Sequence, residues 1–243
     1  MPRKSAKFYL TNYFAKWNWL EVLLLGLSVI IPLVIGIIFN SHMLEIILSI
    51  IMPVSSILAA KGRIESRFLA LAIGVLYIVV TYWASLYGEV IIVALVFMPI
   101  KAYGLLNWLR NRSKKSGSEN IIVISKTGGR EVVIVLVVHA LLAVGLYFLL
   151  DAFNTAFLVV STLSATINAM GTWFLARRSV LAFPVYLILD FVQLALWLLV
   201  VLGGDTNAMV LVSSMAIFAV VDTYGWIAWS RLRKRQMEGQ VAA

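Results

Sequence analysis

The chain has 243 residues and a formal net charge of +9; 62% of it is hydrophobic and only 13% is charged. Average soluble domains hold about 45–50% apolar and about 25% charged residues, and a globule of this size must cover itself largely with polar groups, so a single soluble core is excluded. The lack of cysteine excludes a disulfide framework and thiolate chemistry, and it leaves the redox compartment open.

The apolar residues fall in runs of about twenty, the length needed to cross roughly 30 Å of hydrocarbon at about 1.5 Å per residue. The fold class predicted is therefore an all-α integral membrane protein with eight transmembrane helices. They lie at about 20–39, 43–60, 68–86, 90–109, 132–150, 156–176, 180–202 and 208–230. The charged N-terminus followed by an apolar run has the layout of a signal peptide. That run is about twenty residues long and no small-residue cleavage site follows, so it reads as a retained helix.

The basic residues check the count. Arg3, Lys4, Lys7 and Lys16 precede the first span. The second, fourth and sixth connections carry Lys61, Arg63 and Arg67; Arg110, Arg112, Lys114, Lys115, Lys126 and Arg130; and Arg177 and Arg178. Arg231, Arg233, Lys234 and Arg235 follow the last span. With eight spans, 19 of the 20 Lys and Arg residues share one side. The opposite connections, around Asn40-Ser41-His42, Gly88-Glu89, Asp151 and Gly203-Gly204-Asp205, hold none. By the positive-inside rule both termini are cytoplasmic, and one helix more or fewer would scramble the segregation. Topology thus accounts for the positive charge, and no nucleic-acid partner is expected.

Within the polar segment Arg110–Glu131, Ser113–Asn120 reads as a flexible linker. Ile121–Ser125, ahead of Thr127-Gly128-Gly129, reads as a short strand or hairpin arm. Trp17, Trp19, Trp108 and Trp229 read as anchors at the membrane interfaces.

A repeat organises the chain. Lys101-Ala102-Tyr103-Gly104 and Asp222-Thr223-Tyr224-Gly225 both continue as Tyr-Gly-x-x-x-Trp-x-Arg, 121 residues apart. Aligning them lays spans two to four over spans six to eight. Each set has a first helix ending in a basic turn (Ala59-Ala60-Lys61-Gly62-Arg63; Leu175-Ala176-Arg177-Arg178) and a last helix entered from an acidic turn (Tyr87-Gly88-Glu89; Gly204-Asp205). One span separates the sets, so equivalent helices run in the same direction, as a parallel repeat about an axis along the membrane normal. The expected organisation is an N-terminal segment and accessory helix (1–42), a first three-helix repeat (43–110), a cytoplasmic loop (111–131), a linker helix (132–155), a second repeat (156–231) and a basic tail (232–243).

Ionisable groups inside spans are costly, at least about 2.5–3.5 kcal/mol, and so face a cavity or a partner. Phe183, Tyr186, Asp190, Gln193 and Trp197 share one face of span seven, which suits an aromatic-lined cleft for a flat molecule, with Asp190 favouring a cation or a donor. A helix-packing network is the bland alternative. In span six, Ser161, Ser164 and Asn168 share a face; the serines read as packing contacts and Asn168 as a substrate contact. Tyr103 and Tyr224 of the repeated motif are added as substrate contacts, and His139 of span five reads as a packed side chain. Lys101 and Asp222 occupy equivalent positions and are expected to pair as a cytoplasmic gate, with Pro99 kinking span four beside them; snorkelling of Lys101 is the alternative. Two distant histidines, no cysteine and no paired carboxylates on one helix face give no catalytic arrangement, and no nucleotide-binding, metal or cofactor motif is present. A sugar facilitator, a membrane-embedded enzyme and a receptor stay as competing classes.

Several features together resemble the PnuC-type vitamin transporters: Trp17-Asn18-Trp19-Leu20-Glu21, Tyr87-Gly88-Glu89-Val90, Met98-Pro99-Ile100-Lys101-Ala102-Tyr103-Gly104, Ala176-Arg177-Arg178-Ser179-Val180 and Tyr224-Gly225-Trp226-Ile227-Ala228-Trp229. The resemblance implies a three-plus-one-plus-three helix fold like a duplicated sugar-transporter (SWEET-like) bundle, in a bacterial-type cytoplasmic membrane. It implies facilitated diffusion of a vitamin-like nucleoside, nicotinamide riboside first, with thiamine, riboflavin or a deoxynucleoside as alternatives. It also implies a cytoplasmic kinase that traps the vitamin by phosphorylation. The sequence departs from the family where it matters for substrate. Phe183 and Tyr186 replace a Trp-x-x-Trp pair, Asp190 replaces an Asn, and Lys101 and Asp222 replace amides before each Tyr-Gly.

Overall fold

The first helix, α1 (Trp19–Ile38), starts where Asn18 closes a capping box. The Asn18 side chain accepts from the Glu21 amide and the Glu21 carboxylate from the Asn18 amide, both at 2.8 Å. The computed structural model describes residues 17–83, 87–112 and 122–238. Among them the later helices are α2 (Met43–Ala60), α3 (Glu65–Trp83), α4 (Tyr87–Arg110), α5 (Gly129–Ala152), α6 (Leu158–Ala176), α7 (Ala182–Leu202) and α8 (Met209–Met237). All eight are long and apolar enough to cross a membrane, as the hydropathy runs require. The chain is a multi-pass, all-helical membrane protein.

α2 and α6 end alike. The Arg63 amide donates to Leu58 O and the Ser179 amide to Phe174 O, each reaching back five residues. Gly62 (φ 67°) and Arg178 (φ 59°) supply the left-handed residue that turns the chain. α4 is not regular: Val93–Phe97 forms a π-helical turn between Tyr87–Ile92 and Met98–Arg110. Pro99 has no amide to donate to the carbonyl of Leu95, so the ladder loosens at this point. The expected break in span four is thus a widened turn.

α2 packs on α3, α6 on α7 and α7 on α8; across these groups α4 packs on α6 and α8 on α2. α1 leans on α2 and α8, and α5 on α6. Burial separates the helices by position: 56% of the α6 window is buried, against 17% of α5 and 11% of α7. α6 is therefore central, while α5 turns Val133, Val137, Leu141 and Phe148 outward as a lipid-type surface.

The largest core cluster lies at the basic end of the bundle and corrects two expectations. Trp108 and Trp229 are fully buried, with ring centroids 5.7 Å apart, and do not anchor an interface. Trp108 Nε1–H donates to Leu175 O (2.9 Å) and Trp229 Nε1–H to Ala59 O (3.1 Å). Each indole thus adds a second donor to a carbonyl in the last turn of a facing helix, Ala59 O also accepting from the Gly62 amide and Leu175 O from the Arg178 amide. Trp19, by contrast, is 77% exposed, as an anchor is. The second correction concerns the segment read as a strand. Ile122 and Ser125 make only single bridges, to Arg112 and Ser179, and buried Ile122 and Ile124 join the same core. Ile121 and the linker Ser113–Asn120 lie outside the described residues, as do Arg3, Lys4, Lys7, Lys16 and the last five residues of the tail. Arg67, expected in a loop, is buried in the first turn of α3.

Candidate functional site

Two adjoining cavities run into the bundle. The inner one, of about 170 Å³, is bounded by α2, α3, α4, α6, α7 and α8 and reaches the Ala59 and Leu175 carbonyl ends. The outer one, of about 250 Å³, lies toward the opposite end, where Tyr77, Glu89, Phe157 and Val200 line it. Met52, Ile73, Lys101, Asn168 and Gln193 belong to both walls and form the layer between them.

Of the span-seven stripe, Tyr186 and Asp190 line the inner cavity, Gln193 lines both and Trp197 the outer. The spacing that aligned them along α7 thus lays them out along a path through the protein. Phe183 departs from the stripe. It is buried against Trp229 (centroids 5.0 Å) at the contact with Gly225, where a side chain on the glycine would overlap its ring. Tyr103 and Tyr224 also line neither cavity. Tyr103 stacks on Trp173 at 5.6 Å, and the Tyr224 hydroxyl donates to Glu21 (2.5 Å), whose carboxylate also holds Lys61. The glycine after each tyrosine explains this: it seats the helix against a neighbour and leaves the tyrosine at the bundle end.

Inside the cavity, contacts fix the polar groups. Tyr186 lies against Gly171, which leaves room for its ring, and its hydroxyl donates to Thr172 Oγ1 (3.1 Å); Thr172 in turn donates to Asn168 Oδ1 (3.3 Å). Asp222, 3% exposed, accepts from Ser56 Oγ at 3.1 Å. Asp190, 5% exposed, has an Oδ2 that accepts no hydrogen bond among the described residues. The two carboxyl groups are close enough to interact directly.

The positive groups sit on the other wall. Arg67 Cζ lies 4.6 Å over the Trp108 ring and its Nε–H donates to Ser66 Oγ at 3.2 Å. Lys101 Nζ stands 3.6 Å from the point a Gly74 side chain would occupy. Among the described residues no ion pair joins Lys101 to Asp222. Both line the inner cavity with open space between the walls.

His139 is buried, bonds Val135 O (2.7 Å) and lines neither cavity, as a packed histidine does. Ser161 and Ser164 line the outer cavity, and Ser161 Oγ donates to Ala156 O. Sequence reasoning missed Ser56, Arg67, Thr172 and Phe218 on the inner wall and Tyr77 on the outer. Arg67 follows Glu65 and Ser66 at the edge of an apolar run, where it reads as a connection charge; the others have no feature that separates them from ordinary helix residues. No group of His, Asp and Glu among the described residues is arranged to hold a metal ion.

Residues 42–231 match the family described as Nicotinamide mononucleotide transporter. The chain belongs to that family. The resemblance read from the motifs is thereby upheld, and the protein is a membrane transporter rather than an enzyme. Among relatives, it is 18% identical over 232 residues to the protein named Nicotinamide riboside transporter PnuC of Neisseria mucosa, covering 95% of this chain and 88% of that one. The fold matches the structure titled Crystal structure of the Vitamin B3 transporter PnuC with a TM-score of 0.80 and 18% identity, over 96% of this chain and 99% of the other.

Proposed function

We propose that this transporter carries a vitamin-like nucleoside with a cationic ring, nicotinamide riboside first, through the path formed by the two cavities. The observation that carries the reading is Asp190: a buried, incompletely bonded carboxylate at membrane depth, flanked by Tyr186 and by the Asn168–Thr172 hydrogen-bond chain. A carboxylate beside an aromatic face favours a flat cation over a neutral sugar. The name of the Neisseria relative points the same way. Thiamine, also a cation, is the second reading on the same ground; riboflavin or a deoxynucleoside would leave Asp190 without a charge partner.

The test is a thermal-shift panel of the purified protein with nicotinamide riboside, thiamine, riboflavin and nucleosides. Stabilisation by the cations is expected, about 2.7 kcal/mol at a hundredfold excess over Kd. A folded protein stabilised by none of them would overturn the reading.

We further propose that α2–α4 and α6–α8 are parallel repeats flanking α5, with α1 accessory. The paired indole bonds, the like-ended α2 and α6 and the matching α4–α6 and α8–α2 contacts support this. The one-sided basic residues support cytoplasmic termini. Movement is downhill, with capture by a cytoplasmic kinase.

Lys101 and Asp222 act as the gate of the inner cavity, apart in the present state and paired when it closes. Transport assays in proteoliposomes check this through a double-mutant cycle. Lys101→Ala and Asp222→Ala are each expected to lower the rate at least tenfold, and the double variant to be no worse than either. Additive losses would show that the two residues act separately.

A further inference from the structure

The Asp190 and Asp222 carboxyl groups pose a problem of charge. They lie on α7 and α8, both buried, in one wall of the inner cavity and within interaction distance of each other. Two ionised carboxylates only accept hydrogen bonds, so they cannot bond to each other, and in a site removed from water they repel strongly. The neighbours do not relieve this. From α2 comes the Ser56 hydroxyl, already given to Asp222. From α3 comes Arg67, stacked on Trp108, and from α4 Lys101, beside Gly74; neither makes an ion pair with the acids. From α6 come Asn168 and Thr172 and from α7 Tyr186 and Gln193; Tyr186 gives its proton to Thr172. Glu21 of α1 is held by Lys61 and Tyr224, and His139 of α5 faces neither cavity. Asp190 Oδ2 is left buried without a donor. A proton on one carboxyl would bond the pair and satisfy that oxygen at once.

We propose that Asp190 and Asp222 form a two-carboxyl proton site that holds one proton between them in the unloaded carrier and yields it to the substrate cation. The inference rests on the cationic-substrate reading above. On loading, the shared O–H breaks and its proton passes to water on the side to which the cavity is open, leaving two carboxylates facing the substrate cation. On release, one proton from the water of that side re-forms the O–H. The site carries either one proton or one substrate cation, so its charge is the same in both forms and the bare, doubly ionised pair never has to cross. Protons and substrate compete. Each substrate cation carried in is exchanged for one proton carried out, so acidifying the side from which substrate enters both slows and opposes uptake.

Calorimetric titration of the full-length protein with nicotinamide riboside and with thiamine, in buffers of equal pH and different ionisation enthalpy, counts the protons exchanged. About one proton released per substrate is expected, with Kd rising up to about tenfold for each unit of pH lowered. Asp190→Asn and Asp222→Asn should each abolish the release and flatten the pH dependence. Asp151→Asn, at an exposed site that lines neither cavity, should leave both intact. Binding without proton release, or release lost in Asp151→Asn and kept in Asp190→Asn, would overturn the proton site and leave the transporter reading standing. An infrared readout needs no ligand. The unloaded protein at neutral pH should show a protonated-carboxyl C=O band that both Asp→Asn variants lose. Absence of that band overturns the proposal even if no vitamin binds, whereas the band without binding sinks only the substrate reading.

Discussion

Glu21 holds three parts of the chain together: its carboxylate accepts from the Asn18 amide (2.8 Å), the Lys61 ammonium (2.5 Å) and the Tyr224 hydroxyl (2.5 Å). Lys61 also lies 4.7 Å over the Trp17 ring. The motif Trp17-Asn18-Trp19-Leu20-Glu21 is thus a clamp of α1 onto α2 and α8. Removing one partner of a buried ion pair costs about 3–5 kcal/mol, because the other loses its counter-charge. Glu21→Ala should therefore lower the melting temperature clearly, with cation binding in the inner cavity kept, since Glu21 lines neither cavity. A melting curve and a binding titration on the same sample check both halves. Asp190 was legible as a cavity-lining residue because a charge inside a span is too costly to face lipid. Tyr224 was misread because a motif shared by two helices can mark a helix contact as easily as a ligand contact.

At the scale of elements, the two Tyr-Gly helices show why small residues recur. A side chain on Gly225 would overlap the Phe183 ring, and one on Gly171 would overlap Tyr186. Alanine at either site gains about 1 kcal/mol of helix propensity but overpacks the contact at about 1–3 kcal/mol. Both Gly225→Ala and Gly171→Ala should melt earlier than the parent protein. Only Gly171→Ala should also weaken substrate binding, since Tyr186 lines the cavity and Phe183 does not. An affinity loss in Gly225→Ala as large as in Gly171→Ala would contradict that division. The departure of Phe183 from its stripe follows the same logic. Spacing places five residues on one face of α7, but that face meets α8 at one end and open space further along.

For the whole molecule, the charge segregation gives a direct test of orientation. The chain has no native cysteine, so single cysteines can be placed at will. A cysteine at Arg112 should be labelled by a membrane-impermeant reagent only in inverted vesicles, and one at Asn154 only in right-side-out cells. Labelling of both from one side would refute the eight-span topology with cytoplasmic termini. Arg177 belongs to this scale as well: its Nε–H donates to Glu131 at 2.9 Å, fastening α5 to the end of α6 and holding the guanidinium even more firmly protonated than usual.

The sequence by itself determined the span count and the class of molecule, while helix ends differ from expectation, α8 running on to Met237 rather than 230. Lipid supplies a one-dimensional constraint: each span must be apolar for about thirty ångströms, and the basic residues must stay at one end. Such terms are sums along the chain and need no knowledge of neighbours. Tertiary structure decided which polar groups share a cavity. Lys101 and Asp222 hold equivalent places in their helices, and equivalence suggested a pair. In the folded protein Asp222 instead meets Asp190 and Ser56, while Lys101 stands by Gly74, because a helix face fixes the direction of a side chain and only the packing of other helices fixes what it meets. The question posed by the charges has moved accordingly, from an ion pair read along the sequence to two acids brought together across α7 and α8.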